Sequence, residues 1–118
     1  MTPEIKIKKN IRNLWEAESE VVLKKIDETK TLLLRIITMK RDGGSICTSA
    51  TVCVKEQKNG YYSHQHVVFE DYSVRWANEK ATANEKNVLR IHQQALEHLP
   101  SQMEVIKSQY KLMETVDA

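Results

Sequence analysis

Two short turns constrain the fold of this chain more than any other feature of its sequence. They contain all three glycines of the protein, Gly43, Gly44 and Gly60. The segment RDGG separates residues 30–40 from residues 45–55, and an Asn-Gly pair follows the second segment. Asn-Gly favours a two-residue hairpin turn because both residues tolerate a positive φ. The turns therefore predict an antiparallel β-meander.

The segments beside these turns have the composition of strands. Residues 30–40 are rich in leucine and β-branched residues and are apolar on both faces, so both faces of this strand need cover. Residues 45–55 alternate between an apolar face and a face that carries Cys47 and Cys53. Residues 61–69 and 74–78 continue the strand pattern. We therefore expect three or four strands.

Helical patterns flank the predicted meander. Residues 10–28 place apolar residues on one stripe at helical spacing, which predicts an N-terminal helix. Residues 1–9 are then a flexible basic arm, a short edge strand or the first turn of that helix. Thr82 and Glu85 fit a capping box that starts a second helix, which Pro100 ends, and a third helix follows. The expected fold class is α+β, with both C-terminal helices packed on the sheet.

Length and composition limit the class of protein. A chain of 118 residues with 41% hydrophobic and 29% charged residues is typical of one globular domain, here residues 1–118. No apolar run approaches the ~20 residues of a membrane-spanning helix. Because all glycines lie in the two turns, the sequence has no GxGxxG, GxxxxGK[ST] or GxSxG motif. Glycine-dependent phosphate cradles and nucleophile elbows are therefore excluded.

The two cysteines indicate a reducing compartment. Cys47 and Cys53 lie six residues apart in one predicted strand, so their Cα atoms are roughly 20 Å apart. A disulfide requires less than about 7 Å. We therefore expect two thiols and a cytoplasmic protein that does not enter a membrane.

The histidines are the residues whose side chains could carry chemistry. His64 and His66 in SHQHVVFED would point the same way from a strand, as zinc ligands often do. No zinc-binding motif in the sequence supplies a third ligand for them. A half-exposed strand leading into a turn explains this stretch better. His92 lies on an apolar helical stripe, where a lone histidine is more often a core residue. We predict no metal, no cofactor and no catalytic site.

A basic hairpin and an aromatic segment predict a binding surface. Five of the seven aromatic residues lie between positions 61 and 76, and the first hairpin carries a local excess of positive charge. Aromatic side chains next to cations stack on bases or build protein interfaces. The predicted binding residues are Arg35, Lys40, Arg41, Tyr61, Tyr62, His64, His66, Arg75 and Trp76.

The expected function is a non-catalytic binding or adaptor protein that acts through protein–protein contacts, as a homo-oligomer. Two apolar faces on one strand favour self-association, since one of them needs a further cover. Accessory proteins of mobile elements are one class that fits this description. One alternative is nucleic-acid binding by the basic hairpin and the aromatic strands. The other is a small-ligand or nucleotide pocket between the helices and the sheet.

Overall fold

The computed structural model describes residues 3–41, 44–58, 61–66, 73–104 and 108, with the backbone alone at residue 58 and within 61–66 and 73–78. These residues form an α+β fold with one antiparallel sheet. In this part of the chain, no helix has the length and apolar character needed to cross a membrane.

The described residues form six strands, all paired antiparallel. They are β1 (Lys6–Lys9), β2 (Trp15–Lys25), β3 (Lys30–Lys40), β4 (Ser45–Lys58), β5 (Tyr61–His66) and β6 (Ser73–Lys80). The spatial order is β1-β2-β3-β4-β5, and β6 also pairs with β4. β6 pairs with residues 45–51 of β4 and β5 with residues 53–58. The two therefore lie end to end along one edge of β4, and the sheet is five strands wide.

The structure confirms the predicted strand at residues 30–40 and extends the second to residue 58. At the first turn, the Arg41 N–H donates to the Ser45 carbonyl at 2.8 Å. Gly44 has a φ of +90°, a conformation that costs glycine little and other residues much. At the second turn, Lys58 pairs with Tyr61, as a two-residue loop requires, and the Asn59-Gly60 turn itself lies outside the described residues.

The predicted N-terminal helix at residues 10–28 is wrong. Residues 15–25 form β2, which lies between β1 and β3 in the sheet. Within residues 1–9, Lys6–Lys9 form β1, which is an edge strand of the sheet.

Alternating carboxylates explain why this segment is a strand. Glu16, Glu18 and Glu20 occupy every second position of β2, and their neighbours Ala17 and Ser19 are buried against the helical side. Cations on β1, β3 and β4 pair with these carboxylates, as described below. The apolar residues of this segment fit a helix as well as a strand when the segment is considered alone. The partners on other strands therefore favour the sheet.

α1 (Glu85–Leu96) and a second helical segment, residues 99–104, confirm two C-terminal helices. Asn84 caps α1, because its side chain accepts a hydrogen bond from the Asn87 N–H at 2.8 Å. The predicted cap at Thr82 is wrong, and the Thr82 carbonyl instead accepts from the Asn87 side chain at 2.9 Å. Pro100 lies in the first turn of the second segment, where its missing N–H costs little.

The core lies between the helices and one face of the sheet. Buried residues of β3 and β4 pack there against Leu96 and Leu99, and a neighbouring cluster joins β2 and β4 to Val88 and Ile91. The larger cluster contains Leu32, Leu34, Ile36, Ala50, Val52, Leu96 and Leu99. We call the opposite side of the sheet the open face, because none of the described helices packs on it.

Candidate functional site

The open face carries a row of ion pairs across four strands. Lys8 of β1 lies 3.9 Å from both Glu16 and Glu18. Arg35 of β3 pairs with Glu18, and Lys55 of β4 pairs with Glu20. Each carboxylate of β2 therefore has a cation from another strand. These pairs favour one register of β2 and explain why its side chains on this face are charged.

Arg35 and Glu18 form the closest of these pairs. The Arg35 Nε donates to Glu18 Oε2 at 2.9 Å and its Nη2 donates to Oε1 at 3.3 Å. Burial on its own would raise the pKa of Glu18, but the hydrogen bonds and charge of Arg35 outweigh it, so this pKa lies below its ordinary value. The Glu18 hydrogen bonds raise the pKa of Arg35. Arg35, a predicted binding residue, is thus already engaged within the chain.

The second pair lies over the other apolar face of β3. Glu20 is opposite Arg35 and Lys55 is opposite Thr31, so the line from Glu20 to Lys55 crosses β3 at Leu33. The Lys55 Nζ lies 3.0 Å from Glu20 Oε1 above that position. Leu33 is only 1% exposed. Leu33 is therefore buried beneath this pair, so the second apolar face of β3 is covered at this position.

Two buried thiols lie on this face. Cys53 is opposite Leu33 and Cys47 is opposite Met39. Both cysteines are free, as their spacing predicts. Burial raises the pKa of the Cys53 thiol, and the Arg35 charge offsets this only in part. A thiol with a raised pKa is a poor nucleophile at neutral pH.

The predicted basic residues do not form one patch. Arg35 lies in mid-strand among the carboxylates of β2. Lys40 ends β3 opposite Ile46. Arg41 lies beyond it, and its Nη2 donates to Ser49 Oγ at 3.2 Å. Six residues of extended chain separate the two arginines by about 20 Å, so the structure does not bring them together.

The remaining predicted binding residues lie on the edge formed by β5 and β6. In β5, His64 is opposite Lys55 and His66 is opposite Cys53. In β6, Arg75 is opposite Ser49. These positions are known from strand pairing, while the side chains lie outside the described part of the chain, as do those of Tyr61, Tyr62 and Trp76. The binding role of all six stays a prediction.

A chain of buried hydroxyls and one histidine joins α1 to the sheet. The His92 Nε2 lies 2.8 Å from Ser19 Oγ on β2, and its Nδ1 lies 2.7 Å from Thr38 Oγ1 on β3. Thr38 in turn shares a hydrogen bond with Thr48 on β4. His92 is 0% exposed and the three hydroxyl residues are also buried. The expectation of a satisfied core histidine at this position is confirmed.

Burial lowers the pKa of His92 to about 4, although the Glu18 charge acts in the opposite direction. The imidazole is therefore neutral at pH 7, with one nitrogen donating and the other accepting. Ser19 and Thr38 are the partners that sequence reasoning missed. Each is a polar residue at an alternate position of an otherwise apolar strand face. This pattern can be recognised only once β2 is assigned as a strand.

Ser19 also borders a small cavity of about 140 Å³, lined by Glu4, Lys6, Glu18, Ser19 and Glu20. A serine that contacts a histidine has the connectivity of a nucleophile and its base. Here a threonine takes the orienting position and the histidine is a weak base. Carboxylates around the opening would also repel a developing oxyanion. This geometry suits a structural hydrogen-bond chain. Within the described residues, no three His, Cys, Asp or Glu side chains lie close enough to hold a metal ion.

Among the described residues, a strand pairs with only part of the outer side of β2. The pairing of β1 with β2 extends from Lys9 opposite Trp15 to Lys6 opposite Glu18. Beyond that point, no strand among the described residues is hydrogen-bonded to the outer side of β2. At this edge Val22 is 64% exposed and Ile26 is 46% exposed. We call residues 19–25 the β2 edge; among the described residues no strand pairs with its outer side, Val22 is exposed on it, and the register with β3 shifts between Val22 and Lys24.

The chain was compared with family models, curated proteins and solved structures, and no family model, curated protein or solved structure matches it.

Proposed function

We propose that this protein is a non-catalytic binding protein that acts through protein–protein contacts and self-associates. The observation that carries the proposal is the β2 edge, where the side chain of Val22 is exposed, with the exposed Ile26 directly after the strand. An added strand gains affinity from main-chain hydrogen bonds and specificity from alternate side chains. Lys24, Lys25 and the register shift between Val22 and Lys24 limit strand pairing at one end of this edge, so the exposed Val22 is the feature that favours a binding role.

The open face supports protein contacts better than nucleic-acid contacts. Glu16, Glu18 and Glu20 form a row on it, and the nearby cations are engaged with them. A phosphate backbone requires an excess of positive charge on the contacting surface. The aromatic strands β5 and β6 remain the predicted second surface for a partner.

A reducing compartment such as the cytoplasm is part of the proposal. Two free cysteines that are both buried support it, because thiols persist where disulfides are kept reduced.

Sedimentation velocity of the whole protein between about 1 and 100 µM tests the proposal. We expect the weight-average mass to rise above one chain within this range. Val22→Lys should lower the mass at equal concentration, because it places a charge on the exposed apolar edge. Ile11→Lys is the matched control, since Ile11 is 101% exposed but lies in the turn before β2. A protein that stays monomeric throughout would contradict self-association.

A further inference from the structure

We propose that one end of the sheet binds the phosphate backbone of a nucleic acid without reading its base sequence. We call this end the basic end; it consists of the β1–β2 turn, the β3–β4 turn and the last residue of β6, that is, residues 9–15, 40–45 and 80. It is a different surface from the β2 edge. The inference therefore goes beyond the proposed function and does not depend on it.

Strand pairing brings these segments together, although they are distant in sequence. Lys9 of β1 is opposite Trp15 of β2. Met39 is opposite Glu16, so the next residue of β3, Lys40, comes beside Trp15 from the other side. Neighbouring strands lie about 4.8 Å apart, so Lys9 and Lys40 flank Trp15 with their Cα atoms about 10 Å apart.

A second pair of cations lies one residue further along the same end. The Arg41 N–H donates to the Ser45 carbonyl at 2.8 Å, and Lys80 of β6 is opposite Ser45 on the other side of β4. Arg41 and Lys80 therefore flank Ser45 in the same way, again about 10 Å apart. Four cations from three parts of the chain thus meet at one end of the sheet.

The basic end holds the excess positive charge of this protein. The whole chain has 18 lysine and arginine residues against 16 aspartate and glutamate residues. The segments of the basic end contain one carboxylate, Asp42, and five cations, Lys9, Arg12, Lys40, Arg41 and Lys80. Residues 24–30, at the opposite end of β2, contain three lysines and two carboxylates. The field of the protein therefore attracts a polyanion to one end of the sheet.

The cations at this end have uncharged partners, whereas the nearby carboxylates are already paired. The Lys9 ammonium lies 5.3 Å from the centroid of the Trp15 ring, and the Arg41 Nη2 donates to the Ser49 hydroxyl. Both positive charges therefore stay available to a phosphate. Glu79 accepts hydrogen bonds from both Nη atoms of Arg90 at 2.9 and 3.0 Å, so its charge is balanced within the chain.

The β1–β2 turn is held in one shape by Asn10. Its Oδ1 accepts hydrogen bonds from the N–H groups of Arg12 at 2.9 Å and Leu14 at 3.1 Å. Asn13 has a φ of +63°, which asparagine tolerates better than most residues. A turn that is already ordered loses little conformational freedom on binding.

The scarcity of exposed apolar side chains favours a phosphate backbone over a protein or a lipid surface. Among the described residues of the basic end, Ile11 is the only exposed large apolar residue. The centre of a protein interface is rich in apolar and aromatic side chains, and membrane binding scales with the apolar area that is buried. Phosphate contacts instead use cations and N–H donors, and they carry no base-sequence information.

Fluorescence anisotropy with a labelled DNA duplex of about 20 base pairs, in about 50 to 200 mM NaCl, tests the proposal. Each neutralised phosphate adds about −0.9 to the slope of log affinity against log salt concentration, so four contacts should weaken binding about 150-fold over this range. Lys40→Gln combined with Lys80→Gln removes two contacts and should leave a weakening of about 12-fold. Lys24→Gln combined with Lys25→Gln is the matched control, because both lysines are exposed at the opposite end of β2. It should keep the native salt dependence.

Circular dichroism establishes that each variant is folded. If the Lys40 and Lys80 variant is not, Arg41→Gln takes its place, and its binding should weaken about 40-fold over the same salt range. A native weakening of less than about tenfold would overturn the proposal. Equal salt dependence in the two double variants would also overturn it, because the attraction would then belong to the whole surface.

Vesicles of phosphatidylcholine with about one third phosphatidylserine are the second probe. Binding to these vesicles without binding to the duplex would overturn the nucleic-acid assignment and assign the basic end to a membrane surface. A steep native salt dependence that is reduced at the basic end and kept in the control supports the proposal. Sedimentation of the protein alone tests self-association separately, so either proposal can fail while the other stands.

Discussion

Acidification should weaken this protein through a single buried histidine. Burial holds the pKa of His92 at about 4 in the folded protein, against 6.5 for the ordinary side chain. The unfolded chain therefore binds a proton at His92 more readily than the folded chain does. Stability from this residue is fully present above pH 6.5 and is lost as the pH falls from about 6.5 to about 4.

The size of the effect follows from the two pKa values. Their difference corresponds to roughly 3 kcal/mol in the free energy of unfolding, of which about two fifths is lost at pH 5.5 and about three quarters at pH 4.5. The total is a large fraction of the ~5–15 kcal/mol typical of a domain. Glu18 also has a lowered pKa, but its contribution is lost only as the pH falls below its ordinary value of 4.5. The two windows are therefore separable.

Urea unfolding at pH 7.5, 6.5, 5.5 and 4.5 measures this dependence. His92→Gln removes the titrating group and should flatten the decline above pH 4.5, although it lowers stability at pH 7.5. His98→Gln is the matched control, because His98 is an exposed residue just beyond α1; it should retain the native slope. A His92→Gln slope equal to that of the native protein would refute the assignment of His92 as a neutral buried residue.

Two further comparisons test local features of the fold. Arg35→Ala should lower the free energy of unfolding by about 2 kcal/mol, because it leaves the largely buried Glu18 carboxylate without its closest cation. Arg90→Ala breaks an equally short but exposed ion pair, so its thermal midpoint should change far less; similar losses would contradict the role assigned to burial. Asn84→Ala should lower the free energy of unfolding by about 1 kcal/mol because it removes the cap of α1. Thr82→Ala should not, since Thr82 contributes only its backbone carbonyl. Chemical denaturation that ranks the two variants the other way would contradict the observed cap.

Local patterns in the sequence were sufficient to predict the strands at the centre of the sheet. Turn chemistry at Gly44 and at Asn59-Gly60 fixed where two strands end, and leucine with β-branched residues between the turns left little alternative to strands. The core position of His92 also followed from the sequence, because its spacing matched the apolar stripe of α1. These signals are local, and local signals are readable without knowing the neighbours.

The strand conformation of residues 15–25 depends on contacts with distant parts of the chain. Their apolar positions fit a helix, but β1, β3 and β4 supply cations for Glu16, Glu18 and Glu20, and His92 supplies a partner for Ser19. These partners are distant in sequence, so no window along the chain reveals them. The β2 edge follows from the same decision, because a segment assigned as a helix has no strand edge. Long-range strand pairing thus explains why the predicted helix is wrong and why this segment has a strand edge.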